Sequence, residues 1–263
     1  MASAESALPP KARGFDGADD DADEAEAVRR PEAAWRPVPG RVGDASIARA
    51  VVAVGRVAGA AAEALLGSAW GAAAAPSGEV AVGEIPAVRV HVAPGGAAAL
   101  CVCGTGASDA MACAVAAVLV TEGLGAKAPP VAVVQGVRAT EVIQSGRAVA
   151  AAEVYGLDSD AWKEQGVEWL PGTRLRLPPG NFVSGVAAAV LTRAAIHDEA
   201  AGLALVAFPG ASHGDAVAVE GCMSLLEDAL GVPPADRLRG AERSDAVRRA
   251  AGRLRPDHGA MFS

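Results

Sequence analysis

Gly210-Ala211-Ser212-His213-Gly214 matches G-x-S-x-G and lies between an apolar run and an amphipathic segment. On a sharp strand-to-helix turn, that pattern lifts a serine above a sheet as a nucleophile. Such a serine needs a histidine base and a carboxylate orienter, which in that arrangement follow it in the chain. Only His258 remains downstream, with Asp228, Asp236, Asp245 and Asp257 as orienters. After Ala211 no further apolar strand exists to carry them back to a sheet, and Pro209 directly precedes the motif. The preferred reading is a glycine-rich turn in which Ser212 caps the next helix. A serine hydrolase acting through Ser212 is the alternative.

Other chemistry is fainter. Gly104-Thr105-Gly106 follows an apolar run, but Asp109 stands where a dinucleotide turn needs its third glycine. There is no Walker lysine, and a nucleoside-phosphorylase-like enzyme is suggested only by fold pattern and glycine-rich turns. His91 and His197 are read as structural. Glu220 and Glu227, seven apart, are read as facing solvent rather than as an acid–base pair. The four cysteines and four histidines never reach CxxC or HxxxH spacing, so no zinc site is signalled. Cys101 and Cys103 are expected on opposite faces of one strand, unable to pair, with all thiols reduced and buried. No catalytic, cofactor-binding or metal-ligating residue is assigned, and no cofactor is expected.

The elements that would position these groups alternate in type. Val51–Val54, Val88–Val92, Leu100–Cys103, Val131–Val134 and Leu203–Phe208 are apolar on both faces of a pleat, as in strands covered on two sides. Helices are predicted over 56–70, 107–124 and 215–230, each after a glycine. Met111, Val115, Val118 and Leu119 share one helical face, as do Val219, Cys222, Met223, Leu226 and Leu230. A further helix carries Val183, Val186, Val190 and Ala194, with Asn181 as its N-cap. Buried strands alternating with helices predict an α/β fold of three layers in one domain, a mostly parallel central sheet flanked by helices.

Composition sets the outer bounds. The chain has 263 residues, 51% hydrophobic, 21% charged and only 3% aromatic, and about a quarter of it is alanine. That excludes wholesale disorder and a disulfide-stapled mini-domain. The longest stretch without charge, Val90–Ser108, is broken by Pro94 and several glycines, so no membrane span is expected. The N-terminus has no apolar core of a signal peptide. A net charge of −8 argues against nucleic acid or anionic lipid. Residues 1–45, rich in Asp, Glu, Ala and Pro, read as a disordered acidic tail, with the α/β domain over 46–254 and a flexible tail over 255–263. Within the domain, Ala235–Leu254 is rich in arginine. Arg237, Arg239, Arg243, Arg248, Arg249 and Arg253, with Arg255 beyond, outnumber Asp236, Glu242 and Asp245. This reads as a solvated helix for an acidic protein partner.

Two features together resemble the proteasome assembly chaperone family. Ala50–Ala58 and Leu100–Thr105 look like the first half of that family's fold, and Pro179–Leu191 followed by Gly202–Gly210 and a helix to Leu230 looks like the second. The likeness spans roughly residues 47–230. The second feature is the closing Met261-Phe262-Ser263. Members of the family end in a hydrophobic residue, a tyrosine and any residue, which dock between α-subunits of the 20S proteasome. Met261 would supply the apolar anchor, Phe262 the ring without tyrosine's hydroxyl, and Ser263 the carboxylate. The resemblance implies a non-catalytic chaperone that holds α-subunits during α-ring formation, without ATP. It also implies pairing with a homologous second chaperone, and residence in the cytoplasm and nucleus.

Overall fold

The computed structural model describes residues 32–38, 47–68, 76–93, 96–104, 109–125, 128–142, 152–170, 174–209 and 214–254. In chain order the strands are β1 (Ala33–Pro37), β2 (Arg49–Val54), β3 (Gly78–Val82), β4 (Ile85–Val92), β5 (Ala98–Cys103), β6 (Val131–Arg138), β7 (Glu153–Asp158), β8 (Leu175–Arg176) and β9 (Ala201–Phe208). The α-helices are α1 (Gly55–Ser68), α2 (Ala112–Val118), α3 (Asp160–Glu164), α4 (Gly185–His197), α5 (Gly214–Leu230) and α6 (Gly240–Leu254).

The strands form one sheet in the order β1-β3-β4-β5-β2-β6-β9-β7-β8. Its centre, β5-β2-β6-β9, is parallel, as the doubly apolar strands require. Antiparallel strands extend it on both sides: β4, β3 and β1 beyond β5, and β7 beyond β9. All eight residues of β9 are buried. Alternation along β2 sends Val51 and Ala53 to one core, and Ala50, Val52 and Val54 to the other. The first core is closed by α1, α5 and α6, the second by α2 and α4, which makes the three layers. Because alanine fills so many of these positions, helices and sheet approach closely with little side-chain volume between them.

Four expectations are corrected. Ala33–Pro37, assigned to a disordered tail, is an edge strand paired with β3. Trp35 explains it. Its ring lies where a side chain on Gly78 would be, 2.3 Å from the ideal Cβ position, and it also covers Gly123. The helix predicted over 107–124 is divided among the described residues into a 3-10 turn (Asp109–Met111), α2 and a π turn (Leu119–Gly123). The N-cap of α4 is Ser184, while Asn181 turns its amide back to the Pro178 carbonyl at 2.8 Å. Cys101 and Cys103 share the face covered by α2 and α4, as residues two apart on a strand must.

Candidate functional site

The positions that could carry chemistry gather at three places. The first is the carboxyl end of the parallel strands, where α/β sheets usually bind ligands. Here β2 turns at Gly55 directly into α1, and β5 ends at Cys103, just before Gly104. The first turn of α4 starts at Gly185, whose φ of +65° suits glycine, and an added Cβ would lie 3.1 Å from Asp109 Oδ1. A carboxylate beside a helix N-terminus is well placed against the backbone dipole. Asp109 thus puts the chain's own negative charge at the start of α4. Thr105 and Gly106 lie outside the described residues, as do Gly210, Ala211, Ser212 and His213 with the would-be base His258. Of the proposed orienters, Asp228 pairs with Arg237 at 2.7 Å and Asp245 with Arg248 at 3.5 Å.

The second place is the seam between α5 and α6. Glu220, Ser224 and Glu227 fall at i, i+4 and i+7 on α5, one face of a helix. Glu227 is not solvated but 1% exposed, against the expectation from sequence. Arg243 of α6 reaches both its oxygens, at 3.0 and 2.8 Å, through one guanidinium nitrogen. The same side chain donates to Glu220, and to Ser224 Oγ at 2.8 Å. Burial pulls the Arg243 pKa down, but the hydrogen bonds and charges of Glu227 and Glu220 outweigh it, and the net direction is up. Two carboxylates locked on one guanidinium hold helices together and offer no proton-transfer pair. The arginine-rich segment is thus partly internal: Arg237 donates to the Val232 carbonyl at 3.0 Å, and Arg239 to that of Pro234. Arg248, Arg249 and Arg253 remain on the exposed side of α6.

The third place is a cleft of about 280 Å³ where α6 ends against the start of α1 and the β4–β5 edge. Arg56 donates to the Leu254 carbonyl at 3.0 Å, fixing the end of α6, and Arg89 pairs with Glu63 on the other wall. No histidine lines it, and its one thiol, Cys103, has its pKa pushed up to about 12 by burial. Residues 255–263, with Met261, Phe262 and Ser263, continue from this point and lie outside the described residues. His91 is buried on β4, and His197 is exposed at the end of α4. Among the described residues no cluster of three or more His, Cys, Asp or Glu is placed to hold a metal, and no helix is long and apolar enough to cross a membrane.

The thiols give a direct check of this geometry. Burial pushes the Cys222 pKa up to about 12, and raises that of Cys101 further with the help of the Cys103 charge. Cys113, on the outer side of α2, is exposed, contrary to the sequence expectation that all four are buried. Thiolate is the reactive form, so one thiol per chain should react promptly with a maleimide in dilute native protein, and four after unfolding. Mass spectrometry should find the native adduct on Cys113. Prompt labelling of Cys101 or Cys103 would contradict the packing of β5.

Comparison with known proteins yields fold rather than family. No family model matches the chain, and no curated protein does. Solved structures do match. A protein of unknown function from Thermoplasma acidophilum superposes with a TM-score of 0.56 at 9% identity, covering 84% of this chain and 91% of that one. PbaB of Pyrococcus furiosus, an archaeal proteasome activator, gives 0.57 at 13% identity over 85% and 96%. PbaA of the same organism, an archaeal homologue of proteasome-assembly chaperone, gives 0.55 at 13% identity over 87% and 97%. Over nearly the whole length of those proteins, this chain has the fold of the archaeal proteasome-assembly chaperone homologues.

Proposed function

We propose that the chain is a non-catalytic chaperone that acts in assembly of the 20S proteasome. The observation that carries the reading is the fold shared with PbaA, over 87% of this chain and 97% of that one. The Arg243 network supports it. The carboxylates that sequence spacing offers as an acid–base pair are spent on holding α5 to α6. In this reading the chain works with a homologous chaperone of the same fold, holds α-subunits while their ring closes, and does so in the cytoplasm and nucleus.

Its anchor in this reading is Met261-Phe262-Ser263, docked between α-subunits. Full burial of Met261 and Phe262 contributes about 1.5–3 kcal/mol each, and a charge-assisted carboxylate pair about as much again. Ordering the tail offsets much of that, which keeps the anchor reversible. Removing residues 261–263 is expected to weaken binding to isolated α-rings by about one to two orders of magnitude while leaving the thermal melt unchanged. Phe262→Ala should behave like the truncation, and Phe262→Tyr should bind as well or better. Affinity purification followed by mass spectrometry tests the wider reading. Recovery of proteasome α-subunits supports it, and their absence from a well-expressed bait overturns it. A truncated chain that binds as tightly as the full one removes the tail from the mechanism.

A further inference from the structure

The cleft between the end of α6 and the start of α1 coincides with the switch point of the sheet. β2 and β5 are adjacent and parallel, yet the chain leaves β2 through α1 on one face and leaves β5 toward α2 on the other. Connections that part in this way open a crevice outside the carboxyl ends of the two strands, where open α/β sheets take ligands. Here that crevice has a volume of about 280 Å³, with Gly55 from the end of β2 and Val102, Cys103 and Gly104 from the end of β5 in its wall. Such a volume lies at the lower end of small-molecule sites. Glycine keeps it open. Gly55 has a φ of +83°, which lets β2 turn straight into the helix, and Gly59, one turn on, presents no side chain to the space.

Charge in the cleft runs against that of the chain. The whole sequence carries −8, but the described lining holds two cations, Arg56 and Arg89, and one anion, Glu63. The first turn of α1 has no acidic residue, and it adds the positive end of a 14-residue helix to the same space. Neither arginine is used up. Arg56 gives one N–H to the Leu254 carbonyl at 3.0 Å, and a guanidinium has five. Arg89 pairs with Glu63, but its side chain is 45% exposed, and a pair that open costs little to rearrange. Val102, Cys103 and Leu254 give the lining its apolar part.

We propose that this cleft binds a small monocarboxylate with a short apolar body. The carboxylate answers the one unmatched cation, accepting from Arg56 and Arg89 beside the N-terminus of α1, and the apolar body lies on Val102, Cys103 and Leu254. Glu63 sets the charge of the ligand. A second negative charge would face that carboxylate, which disfavours phosphate. Volume sets the size, on the order of ten non-hydrogen atoms. The site stands apart from the chaperone reading, so recovery of α-subunits and binding of a carboxylate can each fail alone.

Hexanoate and phenylacetate serve as probes, with hexanamide as the uncharged match and inorganic phosphate as the dianion. In the full-length protein both carboxylates should bind with a Kd of about 0.1–1 mM, the strength usual for ligands of that size. Titration followed by methyl NMR should show the resonances of Val102 and Leu254 shifting. Hexanamide and phosphate should bind at least about tenfold more weakly. Gly59→Leu is the decisive variant. A Cβ at residue 59 lies 3.8 Å from the Cys103 carbonyl oxygen, an ordinary contact, so the helix accepts the side chain, which then fills the cleft. It leaves both arginines in place, should keep the thermal melt, and should abolish hexanoate binding. Arg89→Gln, at an exposed position, should weaken binding at least about tenfold. Arg248→Gln removes the same charge from the exposed side of α6, away from the cleft lining, and should leave binding unchanged. Hexanoate binding that survives Gly59→Leu, or that hexanamide or phosphate equals, overturns the proposal. So does the absence of binding at about 10 mM hexanoate. An equal loss in Arg248→Gln overturns it too, because that result means charge attraction without a site.

Discussion

Replacing Arg243 with alanine is expected to lower the unfolding free energy by about 3–5 kcal/mol, a large part of what a domain of this size has. The reason is what the change leaves behind. Glu227 is 1% exposed, and both its carboxylate oxygens accept from Arg243 at 3.0 and 2.8 Å. Without the guanidinium, that carboxylate keeps its burial and loses its counter-charge, while Glu220 and Ser224 lose the same donor. The pair as a whole is worth much less than this, because burying both charges cost solvation that their attraction roughly returns. Arg243→Met combined with Glu227→Leu should therefore recover most of the loss, within about 1–2 kcal/mol of wild type. Urea unfolding of the three proteins separates the cases. If Arg243→Ala and the double variant fall equally, the network contributes through packing alone and the buried-charge account fails.

The same network shows where sequence reasoning runs out. Spacing placed Glu220 and Glu227 on one face of α5, and that face exists. Periodicity does not say whether a polar face meets water or another helix, and here α6 brings Arg243 onto it. The buried strands were legible for the opposite reason. A run such as Leu203–Phe208 is apolar at every position, and only a sheet covered on both sides hides it. The strands missed from sequence, β1, β3, β7 and β8, lie toward the sheet margins, where one face or one edge meets solvent and the pattern weakens. Trp35 was the available signal for β1, since an indole in an otherwise polar segment needs somewhere to pack. Exposed apolar side chains were the least legible. Phe182 and Ile196 stand among alanines and valines that are mostly buried, and only the packing of α4 shows which of them it leaves exposed.

Replacement of Trp162 is the change to the apolar core expected to cost most. In a chain with 3% aromatic residues and an alanine-rich core, one indole supplies the volume that several leucines supply elsewhere. Trp162 lies in the first turn of α3, where Ser159 Oγ accepts from its backbone N–H at 3.2 Å and from Ala201 N–H at 3.0 Å, tying the helix start to β9. The ring is 2% exposed and meets Trp169 edge-on with centroids 5.7 Å apart, while the Arg49 guanidinium lies 4.8 Å from the centre of Trp169. Gly202 makes the space: a Cβ there would stand 2.8 Å from Trp162 Cε2 and 2.9 Å from Asp158 Oδ1. Trp162→Ala should cost about 3–5 kcal/mol, and Trp162→Phe clearly less because it keeps most of the filled volume. Gly202→Ala should cost about 1–3 kcal/mol by pressing on the same ring. Combined with Trp162→Ala, it should add clearly less than it costs alone, because the indole is gone and only the Asp158 carboxylate, held by Arg174, remains in the way. Denaturant midpoints of the single and double variants decide it. Full additivity would mean that Gly202 answers to the backbone of β9 rather than to the indole, and the packing argument for this corner of the sheet would fall.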